Sequence, residues 1–401
     1  MKNRTITAIF GAVFAAVFVA YAAPAATAQD ALSTPARAAV LIELETDTTL
    51  LAKNPHTPLP PASLSKLATI YAAFKALDSE GYSLDDTFLV SEKAWRTGGS
   101  KMFVEVGKQV RIEDLLRGVI VSSGNDASIV IAEGLDGDED AFAARLNTTA
   151  AELGLQNSEF RNATGLPDPR HRMSAYDVAL LSERLVEDFP QYYGYFAEPE
   201  FRWSNIRQSN RNPLLGLNDI TVDGLKTGHT NAAGYGLAAS AINDDGRRLV
   251  LAILGLDSTG QRRQEAERIL KWGFRNFATH TLLEADEVLG DAPVWLGRDA
   301  YVSLKVEEPV RLTLSHADLE GMSATIRYVG PVSAPVSSGQ RIGVLELRFP
   351  SGMTLERDLL AVNSVEPLSG ASRINAALRY LVFGPESVLD AAQQGQGQGQ
   401  Q

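Results

Sequence analysis

Apolar side chains are distributed along this chain in two textures. Between about residues 31 and 278, continuous apolar runs alternate with stretches in which apolar residues return every three or four positions. Ala39 to Leu44 is a strand-like run, closed by a turn at Asp47-Thr48-Thr49 and resumed at Leu50-Leu51-Ala52. Pro55 to Pro61 is a rigid, non-helical approach. Directly after it Leu64, Leu67, Ala68 and Tyr71 fall at helical spacing. Further helical patterns cover Ile112 to Val121, Asp126 to Glu133, Phe142 to Leu153, Asp177 to Asp188 and Glu265 to Phe277. Leu225, Gly236 to Ala241 and Leu249 to Leu254 read as strands of a returning sheet. Helices enclosed by early and late strands predict an α+β layer in which the two ends of the domain pair.

After about residue 280 the period changes to two. Val302 and Leu304, then Val310, Leu312 and Leu314, then Leu345, Leu347 and Phe349 alternate with polar neighbours, and Gly, Pro and Ser turns separate the runs. That pattern predicts a small all-β domain ending near Val365. Ile374, Ala377, Leu378 and Leu381 then form one face of a short helix, and a Gln-Gly tail from Gln393 is too polar and repetitive to fold.

At the other end, Lys2 and Arg4 precede an apolar run from about Ile6 to Ala23 and the small residues Ala26-Thr27-Ala28. This is the layout of a secretory signal peptide cut after Ala28, and an uncleaved anchor is the competing interpretation. The expected organisation is therefore a signal peptide at 1–28, a catalytic domain at 29–278, a β domain at 279–366, and a terminal helix and tail at 367–401. A length of 401 residues with 45% hydrophobic positions supports such a two-domain protein. The net charge of −12 offers no footprint for nucleic acid, and no basic stripe offsets it. Cysteine is absent, which removes disulfide and thiol chemistry. The five histidines, at 56, 171, 229, 280 and 316, lack paired ligand spacing, so no metal or other cofactor is expected. Asp136 to Asp140 lacks the calcium-loop pattern and reads as a solvated turn capping the helix at Phe142.

Three short motifs carry the chemistry. Ser63-Leu64-Ser65-Lys66 opens a helix, which would put a hydroxyl and an amine one turn apart on one face. Ser123-Gly124-Asn125 follows an apolar helix and would project a hydroxyl and a carboxamide from a tight turn, with Gly124 supplying an angle other residues resist. Lys226-Thr227-Gly228, on a strand, would set an ammonium and a hydroxyl beside a cleft, with Gly228 letting substrate approach the backbone. Each alone has a bland explanation as a cap, a polar loop or a strand end. Their order and domain-scale spacing together do not.

The trio resembles that of penicillin-binding proteins and class A β-lactamases, with Gly124 where those have Asp. The flanks Pro61 to Leu67, Val121 to Ala127 and Asp223 to Thr230 are similar to the D-alanyl-D-alanine carboxypeptidases, the low-molecular-mass penicillin-binding proteins of peptidase family S11. So are Asn162 to Pro167, Ser174 to Asp177 and Asn210-Arg211-Asn212; in the β domain Ala334-Pro335-Val336 and Gly339 resemble the family more loosely. The resemblance implies a penicillin-binding, β-lactamase-like transpeptidase domain, an antiparallel sheet flanked by helices, followed by a β domain and a terminal amphipathic anchor.

A serine hydroxyl needs an adjacent base. With no His or Asp placed like a triad partner near Ser63, Lys66 is the candidate. It must then spend time neutral, which burial and a second cation, expected to be Lys226, would favour. The resemblance further implies that Ser123 relays a proton to the leaving D-alanine and that Asn125 orients the substrate amide and Lys66. It implies an oxyanion hole from the backbone N–H groups of Ser63 and His229. Lys226, Thr227, Arg211 and Arg262 would bind the terminal carboxylate.

The expected partners are peptidoglycan stem peptides and, as covalent inhibitors, β-lactams. The expected location is the periplasm. The face Ile374 to Val382, with Arg373 and Arg379, suits either the outer surface of the inner membrane or packing on the β domain. A β-lactamase is the nearest alternative, but no E-x-x-L-N arrangement lies between Ser123 and Lys226. A D,D-endopeptidase shares the same parts. A catalytically silent envelope-organising protein need not retain Ser63, Lys66, Ser123 and Lys226 together.

Overall fold

The computed structural model describes residues 32–383. The expected signal peptide and the Gln-Gly tail from Gln393 lie outside the described residues. The first unit is built on a five-stranded antiparallel sheet in the order Thr48–Lys53, Ala38–Glu43, Arg248–Leu256, Gly234–Ile242, Thr221–Thr230. The expected pairing of the domain's two ends is observed, with Val40 opposite Ala252 and Leu41 opposite Leu251.

Both faces of this sheet are covered, which is why its central strands are apolar without a break. Val40, Ile42, Ala238, Val250 and Ala252 face a helical layer that includes Lys66–Ser79, Ile112–Ile120, Asn125–Asp136, Glu139–Glu152 and Ala175–Asp188. Leu41, Leu237, Ala239, Leu251 and Ile253 face the helix Thr259–Asn276 through Ala266, Ile269 and Leu270. The helix Asn125–Asp136 lies inside its layer, with Asp126 to Ala132 all buried. The acidic run ends as read: Asp138 caps the helix Glu139–Glu152 by accepting from the Ala141 N–H at 2.8 Å.

The strand Phe277–Leu283 follows the helix Thr259–Asn276 directly and pairs with Val310–Ser315. Beyond it a six-stranded sheet runs Ser323–Tyr328, Arg341–Arg348, Thr354–Ala361, Tyr301–Lys305, Val288–Trp295, Val332–Ser333. The alternating residues read from the sequence form its core: Val302, Leu304, Val310, Leu314, Leu345, Leu347 and Phe349 are buried, and Leu312 is partly so. The two units meet through a polar contact in which Thr313 Oγ1 donates to the buried Glu43 carboxylate at 3.0 Å. The last helix spans Gly370–Phe383 and leaves Ile374 and Leu378 64% and 55% exposed. No helix among the described residues is long and apolar enough to cross a membrane.

Candidate active site

Ser63 sits in a single 3-10 turn, Ala62–Ser65, that leads into the helix Lys66–Ser79. Three residues per turn place positions i and i+3 directly over one another. Lys66 Nζ accordingly lies 2.9 Å from Ser63 Oγ. Ala62, just before the nucleophile, holds φ +50°, a strained angle of the kind found where a turn must aim one side chain. The segment Asn162 to Leu166 is packed against this turn. Lys66 Nζ donates to the Thr164 carbonyl at 2.5 Å, and a Cβ on Gly165 would stand 1.9 Å from the Ala62 carbonyl oxygen. Asn162 shapes the segment by accepting from the N–H groups of Thr164 and Gly165.

Ser123 is 2% exposed and reached by Lys226 Nζ at 2.7 Å. The unusual angle expected at Gly124 sits instead on Ser123, at φ +58°. Gly124 is required for space, since a Cβ there would meet Asp126 Oδ1 at 2.8 Å and the Met102 nitrogen at 3.1 Å. Gly228 also differs from expectation. Its missing side chain admits the nucleophile turn rather than substrate, because a Cβ would lie 2.9 Å from the Pro61 carbonyl oxygen and 3.1 Å from the Leu64 nitrogen. The strand Thr221–Thr230 is thus pressed onto the turn that carries Ser63. It is also the sheet's edge, so it presents backbone to which an extended peptide can add as a further strand.

Asn125 donates from its carboxamide to the Gly98 carbonyl at 2.8 Å, and no hydrogen bond joins it to Lys66 among the described residues. Thr227 is buried beside Lys226. The exposed His229 stacks on Tyr235 at 3.9 Å, and the Arg262 guanidinium lies over the other ring-bearing residue of that pair, 5.8 Å from the Tyr235 centroid. Arg262 is buried, with an Nε that has no partner. Arg211 reaches across to Ser100 Oγ at 2.6 Å. Its loop is fixed by Asn212, which donates to the Gly224 carbonyl, and by Asn210, which accepts from the Asn212 N–H.

Lys66, Lys226, Arg211 and Arg262 interact electrostatically, and none of the four takes part in an ion pair among the described residues. Burial above all, and then the Arg211 charge, bring the Lys66 amine down from 10.5 to about 7, with Asp126 pulling the other way. Burial holds Lys226 well below its ordinary value, reinforced by Lys66, Arg211 and Arg262. Lys66 and Lys226 do repel one another as expected, and Arg211, which the sequence had not connected with Lys66, adds a further positive charge that lowers its amine. A neutral amine beside a serine, next to unpaired cations in an acidic protein, is an arrangement for acyl transfer to a substrate bearing a carboxylate.

A family model described as D-alanyl-D-alanine carboxypeptidase, Peptidase S11, matches residues 24–258. The chain belongs to this family. Its members are serine peptidases, and a second model, the C-terminal domain of penicillin-binding protein 5, matches residues 277–367. The D-alanyl-D-alanine carboxypeptidase DacD of Escherichia coli is 36% identical over 84% of this chain and 88% of its own length. The crystal structure of penicillin-binding protein 5 from Haemophilus influenzae superposes with a TM-score of 0.71, at 34% identity, over 84% of this chain and 98% of that one. Penicillin-binding protein D2 of Listeria monocytogenes, solved in its ampicillin-bound form, gives a TM-score of 0.55 at 26% identity, covering 61% of this chain and 99% of that chain.

These contacts and charge interactions link the ten residues singled out from the sequence into one neighbourhood, but several that hold them there had been given no role. Asp126 is the foremost. Its buried carboxylate accepts from the N–H groups of Met102, Phe103 and Val104 at 2.9, 2.8 and 3.2 Å, and so fixes the loop that supplies Ser100 to Arg211 and the Ser100 carbonyl to the Asn125 N–H. A carboxylate within an otherwise apolar helix pattern, directly after the second motif, was the available signal.

Proposed function

We propose that the protein is an exported D,D-carboxypeptidase that removes the terminal D-alanine from peptidoglycan stem peptides through an acyl-enzyme on Ser63. The observation that carries this reading is the 2.9 Å contact between Ser63 Oγ and an amine held near neutrality. Neutral Lys66 keeps one N–H on the Thr164 carbonyl and offers its lone pair to the Ser63 proton. As Oγ bonds to the scissile carbonyl carbon, that proton passes to Lys66. Collapse breaks the C–N bond, and Ser123, held by Lys226, hands a proton to the leaving amine. Return of the proton from Lys66 to Ser123 resets the site. Water then attacks the ester and releases the shortened peptide.

Arg211, Arg262, Lys226 and Thr227 receive the substrate's terminal carboxylate, and the backbone N–H groups of Ser63 and His229 receive the oxyanion. Asn125 reaches the substrate amide from its anchor on Gly98. A β-lactam offers a strained amide and a carboxylate to the same groups and acylates Ser63. Export follows from Lys2, Arg4, the apolar run and Ala26-Thr27-Ala28. The exposed Ile374 and Leu378, one helical turn apart, support peripheral contact with the membrane's outer face.

The test is release of D-alanine from a pentapeptide ending in D-Ala-D-Ala, run beside labelling with benzylpenicillin. The wild type releases D-alanine and forms one adduct on Ser63; Ser63→Ala does neither. Rapid turnover of penicillin without D-alanine release would instead make the protein a β-lactamase.

A further inference from the structure

Against the turn that carries Ser63 lies a cavity of about 210 Å³. Its walls come from the residues just before the nucleophile, from the segment 165–172, and from Thr230 and Ala232 at the end of the edge strand. A single water needs only about 10–15 Å³ on this measure, so the space admits a chain rather than a solvent molecule. Pro60, Pro61, Leu166 and Pro167 make the walls apolar.

Asp168, His171, Arg172 and Thr230 break that lining, and Arg172 is turned to the backbone, where its Nη1 donates to the Asp168 and His171 carbonyls. His171 is 1% exposed, and its Nδ1 accepts from the Arg161 N–H at 3.2 Å, which places the ring proton on Nε2. That Nε2–H is buried and has no partner, a condition native proteins tolerate only for a reason. Asp168 accepts from the Arg170 N–H with Oδ1, while its second oxygen accepts nothing from the described residues. The sequence had given neither residue a role.

Substrate direction connects this pocket to the reaction. The leaving D-alanine places its carboxylate among Lys226, Thr227 and Arg211, so the acyl half of the peptide runs the other way, along the edge strand toward Thr230. Four residues of extended chain separate Lys226 from Thr230, about 13 Å. The pocket therefore opens beside the residue that precedes the acyl D-alanine.

We propose that the cavity is a specificity subsite for that preceding residue, taking a methylene side chain that ends in an ammonium next to a carboxylate. The apolar walls cover the methylenes, Asp168 receives the ammonium, and the Nε2–H of His171 donates to the carboxylate. Such an end group exists on a diaminopimelyl residue that is not crosslinked, and is absent from lysyl or acylated residues. The proposal rests on the carboxypeptidase reading above.

The experiment measures D-alanine release by the mature protein from three donors: meso-diaminopimelyl-, lysyl- and Nε-acetyl-lysyl-D-Ala-D-Ala. Benzylpenicillin acylation, which involves no such side chain, reports the integrity of Ser63. We expect the first donor to exceed the third by about tenfold or more in kcat/KM, the scale of one charged hydrogen bond. Asp168→Asn and His171→Ala each collapse that preference through KM. Asp168 is only half-buried, so its variant carries the test if the buried histidine cannot be replaced without loss of fold. Equal kcat/KM for all three donors, or a preference untouched in Asp168→Asn, overturns the subsite alone. No release from any donor overturns the carboxypeptidase reading, and the subsite with it.

Discussion

Replacing Arg211 by alanine removes the charge that ranks after burial in lowering the Lys66 amine. Acylation requires the neutral amine, so its rate rises with pH through the Lys66 pKa and levels above it. With that pKa at about 7, roughly half of the wild-type protein is reactive at pH 7. If loss of the guanidinium charge lets the pKa climb by about one, the neutral fraction at pH 7 falls to about one tenth. The expected result is an approximately fivefold loss at pH 7 that disappears above about pH 9, added to any uniform loss from weaker carboxylate binding. The two effects separate cleanly, because binding changes the height of the profile and the pKa changes its midpoint. The assay is the second-order rate of benzylpenicillin acylation between pH 5.5 and 10, for wild type, Arg211→Ala and Arg211→Lys. The lysine variant keeps the charge and should hold the midpoint near the wild-type value. A midpoint unmoved in Arg211→Ala refutes the electrostatic link. A wild-type profile flat from pH 6 to 9 refutes Lys66 as the base.

Three further outcomes follow from the same geometry. Lowering a buried amine from 10.5 to about 7 costs folding about 5 kcal/mol at and below pH 7, and the cost fades as pH rises toward the unfolded value. Lys66→Met removes that cost but orphans the Thr164 carbonyl, at about 1–3 kcal/mol. It should therefore be inactive yet more stable by about 2–4 kcal/mol at pH 6, with little gain at pH 9; denaturant titrations at the two values check this, and a loss at pH 6 contradicts it. Asp126→Asn replaces one accepting oxygen by an NH2 donor that faces the N–H groups of Met102 to Val104, and should lower stability by about 2–4 kcal/mol. Because Ser100 then ceases to hold Arg211, its peptide KM should rise more than its kcat falls. Gly228→Ala forces the edge strand off the Ser63 turn, and should slow acylation by about 100-fold with only a modest stability loss.

What the sequence disclosed depended on how local each feature was. The helices at Ile112, Asp177 and Glu265 could be read because their apolar faces repeat, and the buried sheet because its strands are apolar on both sides. The short helix Glu92–Arg96 and the hairpin Glu200–Trp203 with Ile206–Ser209 gave no such signal, being brief and mostly exposed. The β domain's alternation was legible, while the short helix His316–Gly321 within it was hidden behind a single capping serine, Ser315.

The site divides along the same line. Ser63 and Lys66 are three residues apart, so a turn geometry alone predicts their contact, and the structure returns it at 2.9 Å. Every partner that tunes the pair is distant in sequence: Thr164 lies 98 residues from Lys66, Lys226 lies 103 from Ser123, and Arg211 lies 111 from the Ser100 that holds it. Spacing cannot show every cation that comes to bear on an amine once the chain has folded, and that is why Lys226 was expected beside Lys66 while Arg211 was not. Glycine shows the limit differently. At Gly124 and Gly228 the residue type correctly signals a constraint, but freedom of φ, room for substrate and room for another stretch of backbone all leave the same mark in a sequence. Only the fold distinguishes them, and in both positions it decides for close packing, against the Asp126 carboxylate and the Met102 backbone at Gly124 and against the Pro61 and Leu64 backbone at Gly228. The reactive pair is thus written locally, whereas the pKa that makes it reactive is a property of the assembled cleft.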